Sequence, residues 1–462
     1  MNFRFKYLGA DFLICSQAVL FSILFAIWAL PETILVRNLC LMLGGCIGAY
    51  QIYHSRTFLT IIKSIPIGLI FALFIWITIH LLFFGSNFQL QYAEYSSIWK
   101  RCFLGVIFAI GFGLGLANAS SNIQRVIWVI FYSGLLMPTL IYIFKFGLIY
   151  YAKLRGVSLP EYFQLFSSGV SRFYIAKTAY VGFCIPVLAV ALGQLYFQIS
   201  KGRWISLACL AYLMTILAVL FVFYTENIKN GLAYALVLIC IFIVLTGYKN
   251  FKVSKIKISL LVAIFVLITG IFIKNHVEQN RSWQTFFADA KIAVQTDAYQ
   301  NWQCTPVFGL PNNDLGEPVS VTNYERISWG INAVKLISQY PLGFGLVERS
   351  FGSIGHEKWP NSCLNQSHSG WLDLTLGIGI PGVLMLLSAL IINLINLYKL
   401  KKKAPESSQS WISMLSCVLL SFLLIWCTTE ISQKVFLDEL IFFIALSGGF
   451  IVGKHKLLSG VT

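Results

Sequence analysis

Asn365-Gln366-Ser367-His368-Ser369-Gly370-Trp371-Leu372-Asp373-Leu374-Thr375-Leu376-Gly377-Ile378-Gly379-Ile380-Pro381-Gly382 opens a run that stays apolar to Leu397. A polar, histidine-bearing stretch therefore enters a segment longer than the roughly 20 residues that cross a bilayer as a helix. The continuity of the run matters, because a lipid-facing strand would alternate with polar positions whereas a spanning helix need not. The stretch predicts a transmembrane helix with an ionisable ring at its polar mouth.

Working outward, the same pattern recurs. The chain of 462 residues is 58% hydrophobic and 11% charged, against about 25% charged in a soluble domain, with a mean hydropathy of +0.76. Apolar windows predict an all-α polytopic membrane protein of about twelve spans: 10–30, 33–52, 65–84, 102–119, 126–149, 180–198, 205–223, 231–247, 258–274, 370–397, 411–428 and 435–452. Three regions follow: 1–274 with nine spans and short loops, 275–369 as one large loop, and 370–462 with three spans. The first span follows Arg4 and Lys6 and lacks a small-residue cleavage site, which predicts a retained helix.

The formal charge of +16 is spread over short connectors and marks topology, not a nucleic-acid partner. Basic clusters at 249–257 and 399–403 put those connectors, and with twelve spans both termini, on the cytoplasmic side. Residues 275–369 hold six Lys/Arg against eight Asp/Glu, which favours the opposite side. A loop of that length argues for function. Within it, Arg281 to Val294 and Arg326 to Ser338 read as amphipathic helical pieces around the turn-rich stretch Pro306 to Pro318. Nine of the eleven cysteines lie in apolar runs; Cys304 and Cys363 share the loop and can pair in an oxidising compartment.

Three groups could carry chemistry. His368 has an imidazole suited to general-base work near neutral pH; the alternative is a helix cap. A helix begun at His368 places Thr375, Gly379 and Gly382 within about 40° of it, a smooth strip for a neighbouring helix or a lipid chain. Arg326 offers a bidentate fork for diphosphate; the alternative is an ion pair with Glu325 or Glu348. Arg281 carries the same ambiguity. Lys229 sits in a short turn between spans, where a lipid-linked phosphate head group would lie; snorkelling is the alternative. No Cys/His spacing makes a zinc site and no glycine-rich phosphate loop occurs, so neither metal nor cofactor is expected. Asp438 and Glu439 lie near the outer end of the last span, where a structural role fits best.

His368-Ser369, nine residues, Gly379, two residues and Gly382 resemble the signature of the O-antigen ligase family, as does the order of spans with the long loop between the ninth and tenth. That resemblance implies a bacterial inner-membrane glycosyltransferase whose active site faces the periplasm. It implies an undecaprenyl-diphosphate-linked glycan donor and His368 activating an acceptor hydroxyl, with inversion and without metal. The acceptor expected first is the lipid A-core oligosaccharide; a protein Ser/Thr, as in protein O-oligosaccharyltransferases, or another glycan are the alternatives. Arg326 matches the family's loop arginine ahead of Pro341-Leu342-Gly343-Phe344-Gly345. Lys229 stands where the family has a second arginine, and it keeps the charge but loses the fork. A multi-span transporter should carry charges deep in several spans, and these spans carry almost none.

Overall fold

A computed structural model of the chain describes residues 2–458 apart from 29, 31, 56–57, 164, 166–176, 429–434 and much of 251–279. The described residues are mostly helical, with one isolated bridge between Asn312 and Pro318 and no strand among them. Eleven helices are long and apolar enough to cross a membrane, and the chain is a multi-pass membrane protein. The ninth expected span, 258–274, lies largely outside the described residues.

The longer helices are α1 (Asn2–Trp28), α2 (Ile34–His54), α3 (Ile65–Phe83), α4 (Phe88–Glu94), α5 (Lys100–Asn118), α6 (Ser121–Arg155), α7 (Ala179–Ser200), α8 (Leu207–Thr225) and α9 (Lys229–Asn250), then α10 (Phe286–Ala293), α11 (Val321–Gln339), α12 (Ser350–Lys358), α13 (Gly370–Lys401), α14 (Glu406–Ile425) and α15 (Val435–Leu458). Residues 85–101, expected as a plain connector, are mostly helical. The Asn87 side chain accepts from the Leu90 N–H at 3.1 Å and starts α4, which continues through a π turn at Tyr95–Trp99 into α5.

α15 is the axis of the bundle, with nearly every described residue from Phe436 to Val452 buried. It packs along α5, which in turn packs on α2. Lipid tails are as apolar as leucine, so close backbone approach and polar glue must hold such helices together. Glycine supplies the approach: a Cβ on Gly48 would run into the Ile107 carbonyl, and one on Gly449 into the Ile110 carbonyl. Arg101 and Asp438 supply the glue, paired at 3.2 Å, with the Cys102 thiol donating to the same carboxylate at 3.0 Å. That is the structural role expected for Asp438.

The large loop has its own core, built from Ile292, Trp302, Tyr324, Leu336, Phe344, Phe351, Leu364 and Leu376. Leu376 belongs to α13, so the start of that helix packs into the loop core on one side, while Trp371 and Leu374 pack into the membrane bundle on the other. The loop is thus seated directly on the helix that follows His368.

Candidate functional site

The seat of the loop is a break in α13. Pro381 has no N–H to donate and its ring crowds the preceding turn, while Gly379 takes φ 75 and ψ 171, a conformation open to glycine. The freed backbone groups bond to the turn at Pro341–Gly345: Phe344 N–H to Leu376 O at 2.6 Å, Gly345 N–H to Gly377 O at 2.8 Å, and Ile380 N–H to Pro341 O at 2.9 Å. Non-helical backbone at this position is tolerable because it is satisfied within protein.

α3 and α4 complete the joint. Trp76 Nε1 donates to Ile378 O at 2.7 Å. The His80 Nε2 lies 3.1 Å from Gly343 O and its Nδ1 lies 2.9 Å from Gln91 Nε2. These partners fix the tautomer with the proton on Nε2, since the carbonyl can only accept and the amide nitrogen can only donate. Glu94 accepts from the Val347 and Glu348 N–H groups at 2.7 and 3.2 Å.

This joint corrects the expected smooth strip under the histidine. A Cβ on Gly379 would enter the Leu342 carbonyl, and one on Gly382 would press on Ile378. The two glycines therefore seat the loop and its kink.

His368 is also not the first residue of the helix. α13 begins at Gly370 with Ser369 at its cap position, and His368 has φ 58, the left-handed region that a residue with a Cβ rarely adopts. Surrounding bonds hold it there. Ser367 N–H donates to Asp373 Oδ1 at 2.8 Å. From the other side, the Trp426 carbonyl accepts from Trp371 N–H at 3.3 Å and from Ser369 Oγ at 3.4 Å. The Trp371 and Trp426 rings meet at 4.9 Å, and the His368 ring lies on Trp329 with centroids 5.1 Å apart and planes 15° from parallel.

Trp329 belongs to α11, where Asn323, Arg326 and Trp329 recur every three residues and so share a face. Asn323 Nδ2 donates to Ser282 O at 2.7 Å, and Lys229 Nζ donates to Ser282 Oγ at 2.6 Å. Asn227 and Asn280 exchange amide hydrogen bonds at 3.1 and 3.2 Å, which ties the start of α9 to the same corner. The structure thus gathers Lys229, Arg326 and His368 along one side of α11.

Among the described residues neither Lys229 nor Arg326 forms an ion pair. Glu325, one suggested partner of Arg326, accepts from Thr305 Oγ1 instead. Arg281 is different, because it pairs with Glu317 at an exposed position, and its charge is neutralised there.

Two elements hold α11 in place. Asp289, fully buried, accepts from Thr285 Oγ1 at 2.7 Å, Asn313 Nδ2 and Asn323 Nδ2 at 2.9 Å, and Ser320 N–H at 3.2 Å. Burial pushes its carboxyl up, but the four donors outweigh that and hold it below the usual carboxylate range. The second is the disulfide of Cys304 and Cys363, with Cα atoms 4.9 Å apart. Next to it the Trp302 carbonyl accepts from Trp329 Nε1 at 2.7 Å. Asp289, His80, Gln91 and Glu94 are site-building residues that reading the sequence missed. A histidine and a glutamine flanking Gly85 were the available signal.

Among the described residues no three His, Cys, Asp or Glu side chains gather as metal ligands. No family model, curated protein or solved structure matches the chain.

Proposed function

We propose that the chain transfers a glycan from a polyprenyl diphosphate, of the undecaprenyl type, to a hydroxyl of the lipid A-core oligosaccharide on the outer face of a bacterial inner membrane. The observation that carries the reading is a pair of cations without a described carboxylate partner, Arg326 on α11 and Lys229 bonded to Ser282 beside Asn323 of the same helix, while Trp329 of that helix meets the His368 ring. The signature shared with O-antigen ligases supports the same assignment.

The chemistry needs few parts. The acceptor O–H gives its proton to the His368 imidazole as its oxygen bonds to the anomeric carbon, and the carbon–oxygen bond to diphosphate breaks on the opposite side with inversion. Negative charge grows on the leaving diphosphate, where Lys229 and Arg326 stabilise it. Lys229 is the first residue of α9, so its ammonium sits at the edge of a span, the depth of a lipid-linked phosphate. Arg281, already paired with Glu317, is left out of this machinery.

Deletion of the gene, followed by parallel blots of lipopolysaccharide and of periplasmic glycoproteins, tests the reading. Loss of the long lipopolysaccharide ladder is expected. An unchanged ladder with a lost glycoprotein band would move the acceptor to protein Ser/Thr, and no change in either would remove the transferase reading.

A further inference from the structure

The geometry points to Trp329 as a positioning residue for His368, locked in turn by the Cys304–Cys363 disulfide. This deepens the transferase reading and rests on it for the reaction it serves.

The His368 backbone cannot orient its own ring. It lies outside the helix, at φ 58, and its side chain is half-buried, so neighbouring surfaces must define the ring plane. Trp329 supplies that surface, with its indole nearly parallel to the imidazole at 5.1 Å. An indole in the loop core would serve packing alone, but Trp329 is only half-buried and lies at the rim of that core.

The indole itself is held at its edge and through its helix. Its Nε1–H is taken by the Trp302 carbonyl at 2.7 Å, two residues before Cys304, whose partner Cys363 lies five residues before His368. Cys363 N–H donates to Gln303 O at 2.9 Å, and the Trp302 and Trp359 rings meet edge-on at 4.9 Å. On α11, Ser328 Oγ donates to Ala293 O and Tyr324 Oη to Tyr299 O, both at 2.9 Å. The disulfide therefore links the two strands of loop that carry the indole's anchor and the imidazole. A base must be held close to its productive geometry, because displacement by about 1 Å costs about 100-fold in rate.

The test uses the full chain in proteoliposomes. Trp329→Ala is expected to lower kcat about 10- to 100-fold, with the KM for the lipid-linked donor unchanged. Trp329→Phe, which keeps a stacking ring but loses the Nε1–H anchor, is expected to recover part of the rate. Cys304→Ser/Cys363→Ser should lower kcat in the same direction as Trp329→Phe. In histidine-labelled protein, the imidazole resonance identified by its loss in His368→Asn should carry an upfield ring-current shift that Trp329→Ala abolishes. An unmoved resonance and an unchanged kcat in Trp329→Ala overturn the positioning role. A wild-type chain that shows the shift but transfers no glycan overturns the transferase reading, and with it the purpose assigned to the stack.

Discussion

Two histidines in this protein flank the N-terminal part of α13, His80 at its break and His368 just before its start, and their surroundings differ in kind. Around His80 every interaction closes inward: one ring nitrogen meets Gly343 O, the other meets Gln91, and nearby Trp76 and Glu94 satisfy the backbone of the break and the turn. Around His368 the backbone is strained and the ring rests on the indole of Trp329, a residue of the helix that also carries Arg326, which pairs with no described carboxylate. The His368 region instead retains uncompensated charge and conformational strain, which a fold keeps only where surrounding bonds over-determine it.

The comparison can be broken in order of expected effect. His368→Ala should lower glycan transfer by at least about 100-fold, the lower end for a lost general base, with expression unchanged. Arg326→Ala should cost about 100-fold through loss of charge stabilisation on the leaving group, with Arg326→Lys recovering part. Lys229→Arg should keep transfer, since it restores the fork that suits diphosphate; a dead Lys229→Arg protein with normal folding would remove Lys229 from the site.

His80→Ala should act on stability. It leaves Gly343 O and the Gln91 amide without their present partner, a cost of about 1–3 kcal/mol for each buried group left unsatisfied, visible as a lower Tm. Transfer per folded molecule should fall far less than in His368→Ala.

The smallest effect concerns acid. Asp289 is held below its ordinary value by four donors, so its contribution to loop stability is fully present above the unfolded value near about 3.9. It is lost as pH falls through the lower folded value. Protease resistance of the loop should be flat above about pH 5 and decline in stronger acid, and Asp289→Asn should flatten that decline. A wild-type loop whose resistance fell between neutrality and pH 5 would contradict this origin.

What the sequence made legible, and what it hid, follows from range. Spans were legible because apolar composition over about 20 residues is a local property, as was the amphipathic face of α11. The Gly379-Pro381-Gly382 cluster announced a special backbone, but its partner, the Pro341–Gly345 turn, lies far upstream, and the strip inferred from helical spacing failed because Gly379 leaves the helix. His80 and Trp76 sat in an uninterrupted apolar run, and the carbonyls they meet, Gly343 O and Ile378 O, lie hundreds of residues downstream. Asp289 lies inside an amphipathic helical piece, and nothing local shows that Asn313, Ser320 and Asn323 converge on it. Arg326 and Arg281 shared an ion-pair ambiguity in sequence, and in the structure it is Arg281 that pairs, with Glu317.

The central proposal is that His368 is the base and that Lys229 and Arg326 serve the leaving diphosphate. Its most direct measurement is transfer from purified polyprenyl-diphosphate-linked glycan in proteoliposomes, with wild-type, His368→Ala and His80→Ala compared at equal folded protein. Abolished transfer in His368→Ala beside largely retained transfer in His80→Ala is the expected result. Retained transfer in His368→Ala, or equal loss in both, would contradict the assignment of the chemistry to His368.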